Sequence, residues 1–95
     1  MRWTWDPKKD RSNQRAHGLS FDTAALVFDD PLAASRLDSS PDEERWQTVG
    51  AIGPVIVFVV HTLPEPDGDG EEVGRIISAR KATAHERKTY EEGTF

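Results

Sequence analysis

The 95-residue chain contains no cysteine, which excludes disulfide bonds and metal sites built on thiolates. It also has little apolar sequence in any one place. The longest apolar run, residues 55–60, is far too short to cross a bilayer. The N-terminal residues lack the apolar stretch of a signal peptide. We therefore expect one soluble domain over residues 1–95, located in the cytoplasm and without membrane contact.

Metal-binding patterns are also missing. The histidines, His17, His61 and His85, do not have the spacing of metal ligands. Asp67 opens a stretch of alternating acidic residues, but Ser78 stands where a calcium loop needs its final glutamate. No glycine-rich phosphate loop precedes a helix, and no nucleophile elbow surrounds Ser78, although a Ser-His-Asp triad stays open. We expect neither a metal nor a cofactor.

The net charge of -5 is unevenly distributed along the chain. Residues 65–72 carry five acidic side chains and no basic one, whereas residues 1–17 have a net charge of +3 and residues 75–90 a net charge of +4. Overall charge bears on solubility, but local patches decide which partners a surface attracts. The acidic total therefore does not exclude RNA as a partner.

The basic segment over residues 75–90 is the most informative part of the chain. Ser78, His85 and Tyr90 lie within it, and these side chains can donate or accept protons. Such groups among cations are suited to binding and cleaving a phosphodiester. The alternative is a solvated helix face with ordinary surface charges. The cations of the segment are Arg75, Arg80, Lys81, Arg87 and Lys88.

The first third of the chain predicts a short strand over residues 2–5 and two helices. Asp6 followed by Pro7 is typical of an N-cap and a first helical position, and Gly18 is a natural helix end. Apolar residues at helical spacing predict a second helix over residues 21–29.

The remainder predicts mainly strands. A weak candidate covers residues 33–38, a better one covers residues 45–52, and the branched apolar run over residues 55–62 predicts the central strand. The acidic residues 64–74 predict a long, mobile hairpin loop. The partner strand then follows, starting at Val73 or Arg75 and ending at Arg80.

Thr83 and Glu86 fit a capping box at the start of a last helix, over residues 84–92. The elements together predict an α+β fold, with an antiparallel sheet of about four strands, two N-terminal helices and one C-terminal helix.

Two strand ends carry candidate chemistry. His61 ends the central strand on the same side as Val57 and Val59, where a histidine is either structural or a proton-transfer group. In the partner strand, simple alternation puts Ile76, Ser78 and Arg80 on one face.

A series of motifs runs in order through nearly the whole chain. They are Trp5-Asp6-Pro7-Lys8, Asn13, His17-Gly18-Leu19-Ser20-Phe21, Ala24, Val27-Phe28-Asp29-Asp30-Pro31, Glu44-Arg45-Trp46, Gly50, Val59-Val60-His61-Thr62, Arg75-Ile76-Ile77-Ser78-Ala79-Arg80-Lys81-Ala82, and Glu86-Arg87 with Tyr90. These motifs resemble the BrnT toxin family. The chain differs from that family in its acidic segment over residues 64–74, where the family has a shorter turn.

The resemblance implies a RelE-like fold and an RNA-cleaving toxin of a type II toxin–antitoxin pair, which inhibits translation and growth. It implies a BrnA-like ribbon-helix-helix antitoxin as partner, in a heterotetramer that contacts operator DNA through the antitoxin. The implied catalytic residues are Arg45, His61, Arg75, Ser78, Arg80 and Lys81, and Arg87, Lys88 and Tyr90 are expected to bind RNA or support the site.

The expected reaction is attack by the RNA 2′-hydroxyl on the adjacent phosphorus without a metal. Arg75 and Arg80 would hold the phosphate, and either His61 or Lys81 would transfer the proton. The alternatives are a non-catalytic binding protein and a co-repressor subunit of a DNA-binding complex.

Overall fold

The computed structural model describes all 95 residues. None of its helices has the length and apolar character needed to cross a membrane. The strands are β1 (Arg2–Thr4), β2 (Ala34–Leu37), β3 (Trp46–Ile52), β4 (Val55–His61), β5 (Glu65–Pro66) and β6 (Glu72–Lys81). The helices are α1 (Pro7–His17), α2 (Phe21–Ala24) and α3 (Ala84–Glu92), and a 3-10 helix over Ala25–Asp29 directly follows α2.

The predicted helix ends of α1 and α3 are confirmed. The Asp6 side chain accepts a hydrogen bond from the Lys8 backbone N–H at 2.9 Å, and Gly18 ends α1 in the left-handed region at φ 66°. At the start of α3, Thr83 and Glu86 form both hydrogen bonds of a capping box. These ends follow from local chemistry, because each cap satisfies a backbone group that has no partner within the helix.

The second helix is shorter than predicted. It holds α-helical geometry only over Phe21–Ala24 and continues as the 3-10 helix to Asp29. Phe21, Ala24 and Val27 are fully buried at a spacing of three residues. That spacing matches the three residues per turn of a 3-10 helix, so burial of Val27 favours the tighter winding.

The prediction of an α+β fold is confirmed, but the prediction of about four antiparallel strands is wrong. The sheet contains six strands in the order β1-β6-β4-β3-β2, with β5 also paired to β6. It is a mixed sheet because β1 runs parallel to β6. The pairing joins residues about seventy positions apart, with Trp3 opposite Gly74.

The acidic loop is also shorter than predicted. β5 pairs with the start of β6, where Glu65 lies opposite Val73. The partner strand begins at Glu72, one residue before the earlier of its two predicted starts, Val73 and Arg75. The Asp67 side chain accepts hydrogen bonds from the backbone N–H groups of Asp69 and Glu71 and closes the turn. Such side-chain contacts are the reason that aspartate favours turns.

The hydrophobic core lies between the sheet and the layer formed by α1, α2 and the 3-10 helix. We call this side of the sheet the near face. Two glycines allow close packing there, because a Cβ at Gly50 would lie 2.9 Å from the Val27 Cβ and a Cβ at Gly74 would overlap the Trp3 ring. The core residues are Phe21, Ala24, Val27, Val57, Val59, Ile76 and Ala79.

A β-bulge changes the predicted faces of β6. Ile76 pairs with His61 and Ser78 pairs with Val60, so Ile77 is an extra residue between them. The bulge places Ile76 on the near face with Ala79, while Ser78 and Arg80 point to the opposite side. The prediction that Ile76 shares a face with Ser78 and Arg80 is therefore wrong.

Candidate functional site

The side of the sheet opposite the near face carries a row of side chains that crosses four strands. Pairing register places Arg36 of β2, Gln47 of β3, Val60 of β4 and Ser78 of β6 side by side. Of these four side chains only Arg36 is exposed, and the other three are half-buried. Three neighbours complete the surface that we call the arginine face, which consists of Arg36, Gln47, Phe58, Val60, Ser78, Arg80 and Phe95.

Arg80 is held on the arginine face by contacts on two sides. Its Nη1 and Nη2 donate to the two carboxylate oxygens of Glu86 at 2.7 and 3.0 Å. Its guanidinium carbon lies 4.1 Å from the centre of the Phe58 ring. Glu86 is itself fixed, because its Oε1 also accepts the Thr83 backbone N–H at 2.8 Å as part of the capping box. The capping box thus positions the arginine as well as starting α3.

The Arg80–Glu86 pair stays ionised over a wide pH range. The hydrogen bond from Arg80 lowers the pKa of Glu86, outweighing desolvation, and the same bond raises the pKa of Arg80. Arg80 Nε makes no hydrogen bond within the chain, so the Nε–Nη2 edge still has donors to offer. The arginine can therefore bind an anion side-on while Glu86 keeps it in place.

Arg36, Phe58 and Phe95 of the arginine face, and Glu86, which holds Arg80, were not predicted as site residues. The guanidinium carbon of Arg36 lies 4.0 Å from the centre of the Phe95 ring, and that ring meets Phe58 edge-on at 6.4 Å between centroids. Strand alternation could have found Phe58, because Val57 and Val59 on either side of it point into the core. No local signal identifies Phe95.

Arg45 and Arg75 lie together at another place, beside the loop before β3. Both donate to Glu43 Oε1, Arg75 at 2.7 Å and Arg45 at 3.4 Å. Partial desolvation acts against these bonds, but together they lower the pKa of the exposed Glu43 carboxylate. The adjacent cavity, of about 350 Å³, has three glutamates in its lining, Glu43, Glu44 and Glu65. Such a surface repels a phosphate more than the arginine face does.

The ring of His61 is buried in the core and not exposed on a reactive surface. It is 3 % exposed, and its ring meets the rings of Trp3 and Phe28 edge-on. Both ring nitrogens are occupied, since Nε2 lies 2.6 Å from Thr48 Oγ1 and Nδ1 lies 2.8 Å from the Thr62 carbonyl oxygen. Burial lowers the pKa of His61 and so favours the neutral ring, although the hydrogen bond to the Thr62 carbonyl acts in the opposite direction.

The other predicted residues are spread over several surfaces. Lys81 is exposed but pairs with Val57, so its side chain leaves from the near face, beside His17 and not beside Arg80. Arg87 and Lys88 are exposed on α3. Neither Arg87 nor Lys88 takes part in an ion pair. Of the nine predicted residues, only Ser78 and Arg80 lie on the arginine face.

Tyr90 joins α3 to the loop before β2. Its hydroxyl donates to Asp30 Oδ2 at 2.5 Å, and the same oxygen accepts the Ala51 backbone N–H at 2.8 Å. The hydrogen bond raises the pKa of Tyr90 and lowers that of Asp30. These contacts hold the C-terminal helix against the sheet.

The family model that describes a ribonuclease toxin, BrnT, of a type II toxin–antitoxin system matches residues 5–86. The match therefore spans most of the chain, from the residue before the α1 cap to the glutamate that holds Arg80. No curated protein matches the chain.

Proposed function

Since this chain belongs to the BrnT family of ribonuclease toxins of type II toxin–antitoxin systems, we propose that it is a metal-independent endoribonuclease that cleaves RNA on the arginine face. We further propose that its fold is RelE-like and that cleavage inhibits translation and growth in the cytoplasm. The observation that carries the proposal is the position of Arg80, fixed between Glu86 and Phe58 with its Nε–Nη2 edge free of internal hydrogen bonds.

Arg80 supplies positive charge where phosphoryl transfer develops negative charge. In the proposed reaction the 2′-hydroxyl oxygen attacks the adjacent phosphorus and gives up its proton to solvent water. The bond to the 5′-oxygen breaks, that oxygen takes a proton from water, and a 2′,3′-cyclic phosphate and a 5′-hydroxyl remain. The Nε–Nη2 edge of Arg80 binds the non-bridging oxygens, and Ser78 lies on the same face. Because Glu86 and Phe58 already fix the guanidinium, little reorganisation is needed when the charge forms.

The remaining predicted residues receive lesser roles in this proposal. Arg45 and Arg75 bind RNA outside the cleavage site, since their pairs with Glu43 are exposed and no capping box or aromatic ring holds them in place. The exposed Arg87 and Lys88 attract the phosphate backbone. They do so without contacting the reacting atoms.

Proton transfer by His61 or Lys81 is not supported by their positions. His61 has no free ring nitrogen, and Lys81 leaves the sheet on the face opposite Arg80. We therefore base the proposed catalysis on the electrostatic contribution of Arg80. Tyr90 supports the site by holding α3 in place through Asp30.

The proposed partner is a BrnA-like ribbon-helix-helix antitoxin that covers the toxin in a heterotetramer and contacts operator DNA. The family description supports an antitoxin of some kind, because a type II toxin is one half of a toxin–antitoxin pair. The arginine face would be shielded from RNA in that complex.

The test is cleavage of RNA by toxin that has been separated from its antitoxin by denaturation and then refolded. The proposal predicts cuts in the presence of EDTA and products with 2′,3′-cyclic phosphate ends. A single 2′-deoxynucleotide placed before the cut should block cleavage at that position alone. Intact RNA from a protein with the native circular dichroism spectrum would instead favour a non-catalytic binding protein or a co-repressor. Cleavage at the 2′-deoxy position would contradict the proposed reaction.

A further inference from the structure

Arg36 is fixed on the arginine face by two neighbours, neither of which neutralises its charge. Its Nε donates to Gln47 Oε1 at 2.7 Å, and its guanidinium stacks on Phe95. The Gln47 amide nitrogen in turn donates to Asp38 Oδ1 at 2.5 Å. Because that contact uses the amide nitrogen, the amide oxygen of Gln47 must face Arg36. Arg36 is exposed and forms no ion pair.

These contacts leave a particular part of Arg36 available. Its Nε is used by Gln47 and one side of its plane lies on Phe95, but Nη1 and Nη2 make no hydrogen bond within the chain. The end of the fork is therefore a fixed pair of donors that points away from Gln47. In Arg80 the opposite part of the guanidinium is available. Glu86 binds the Nη1–Nη2 end, and the Nε–Nη2 edge still has free donors.

A planar pair of donors matches the edge of guanine that carries O6 and N7, both of which are acceptors. A phosphate could also bind to such a fork, but two features favour a base. Phe95 adds an aromatic surface beside the arginine, and stacking on aromatic rings stabilises bases and not phosphates. The rings of Phe95 and Phe58 also connect Arg36 to Arg80, so that both arginines face one short stretch of RNA.

We propose that Arg36 is a specificity-determining residue that reads a guanine beside the scissile phosphate, through donation from Nη1 and Nη2 to O6 and N7. Gln47 and Asp38 are positioning residues, because they hold the fork in its orientation. This inference rests on the proposed function, since it names the base next to the bond that Arg80 would help to cleave.

The experiment begins with a pool of randomised RNA, in which wild-type protein should cut beside guanine at one fixed position. A short RNA with that site is then prepared in three forms, with guanosine, 7-deazaguanosine or inosine at the position. Loss of N7 should slow wild-type cleavage about ten- to a hundredfold. Inosine keeps O6 and N7, so it should be cleaved almost as fast as guanosine.

The matched variants are Arg36→Ala, Arg36→Lys and Arg11→Ala. Arg36→Ala loses the contacts to both O6 and N7, so it should cut the guanosine substrate at least as slowly as wild type cuts the 7-deazaguanosine substrate, and it should no longer distinguish the two. Arg36→Lys keeps the charge but not the planar fork, so it should behave like Arg36→Ala. Arg11 is an exposed cation on α1, on the near face, and its removal should preserve the guanine preference.

Three results would overturn the inference. Equal slowing of every substrate by Arg36→Ala would identify a phosphate contact, and an unchanged preference would show that Arg36 does not read the base. Absence of guanine enrichment at the sites that wild type cuts in the randomised pool would overturn it as well.

If wild type cuts no RNA, the proposed function fails, and this failure is separate from that of the inference. Binding of 2′-O-methyl versions of the same oligonucleotides then decides the inference, and equal affinity for guanine and 7-deazaguanine would overturn it.

Discussion

Strand β6 carries two arginines, Arg75 and Arg80, that are each bonded to a glutamate at 2.7 Å, yet the two pairs have different surroundings. Arg80 and Glu86 have side-chain exposures of 35 % and 11 %, and the capping box and Phe58 fix both partners. Arg75 and Glu43 are 46 % and 39 % exposed, and Glu43 lies in the loop before β3.

The two pairs show that the distance between two charged groups does not determine how much the pair contributes to stability or how firmly it holds its donors. An exposed pair is screened by water and must restrict two long side chains to one geometry, so it contributes little. A pair fixed by independent contacts has already restricted its side chains, and its free donors keep a defined direction. We therefore assign the catalytic role to Arg80 and a lesser one to Arg75.

Removal of the two glutamates should separate the pairs most clearly in stability. Glu86→Ala removes the reciprocal half of the capping box and leaves the half-buried Arg80 without its partner, so the free energy of unfolding should fall by about 1–3 kcal/mol. Glu43→Ala should cause a change close to the measuring error. Urea denaturation monitored by tryptophan fluorescence provides both values.

Glu86→Gln is the control for the capping box, because glutamine can accept the same backbone hydrogen bond. It should lose less stability than Glu86→Ala. An equal loss for Glu43→Ala and Glu86→Ala would mean that the two pairs do not differ as their surroundings indicate.

Acid should affect the two pairs in different degrees. The pKa of Glu86 is lowered in the folded state, so its ion pair stabilises the protein above the unfolded-state pKa of about 4.3, and this contribution is lost as the pH falls through the folded-state pKa. Stability measured against pH should therefore decline less steeply below about pH 4.3 for Glu86→Gln than for wild type. Glu43→Gln should follow the wild-type curve closely because its pair is exposed.

His61 should produce a separate decline at higher pH. Burial lowers its pKa in the folded state, so the unfolded chain binds the proton more readily and stability falls as the pH drops below about 6.5. His61→Leu should remove that decline and leave unchanged the decline in stability below about pH 4.3. A wild-type curve that is flat between about pH 6.5 and 5 would contradict the burial of a neutral His61.

Much of the fold is encoded in short segments, and those parts could be predicted. The caps at Asp6 and Thr83 and the helix end at Gly18 depend on residues a few positions away. The parallel pairing of β1 could not be predicted in this way, because it depends on the distant fit of the Trp3 ring over Gly74.

The site was harder to predict than the fold, for related reasons. The bulge at Ile77 alters which side chains of β6 share a face, and no residue type marks it in the sequence. The burial of His61 depends on Trp3 and Phe28, which come from two different elements. Arg80 was predicted as a site residue, but its restraint by Glu86 and Phe58 only appears when strand and helix are assembled.

The most direct test of the account is the single-turnover rate of RNA cleavage by Arg80→Ala, compared with Arg75→Ala under identical conditions. We expect Arg80→Ala to slow the chemical step about a hundred- to a thousandfold. Arg75→Ala should weaken RNA binding modestly and leave the rate at saturating protein close to that of wild type. Urea denaturation of both variants would verify that each is folded. A larger loss for Arg75→Ala than for Arg80→Ala would contradict the assignment of catalysis to the arginine face.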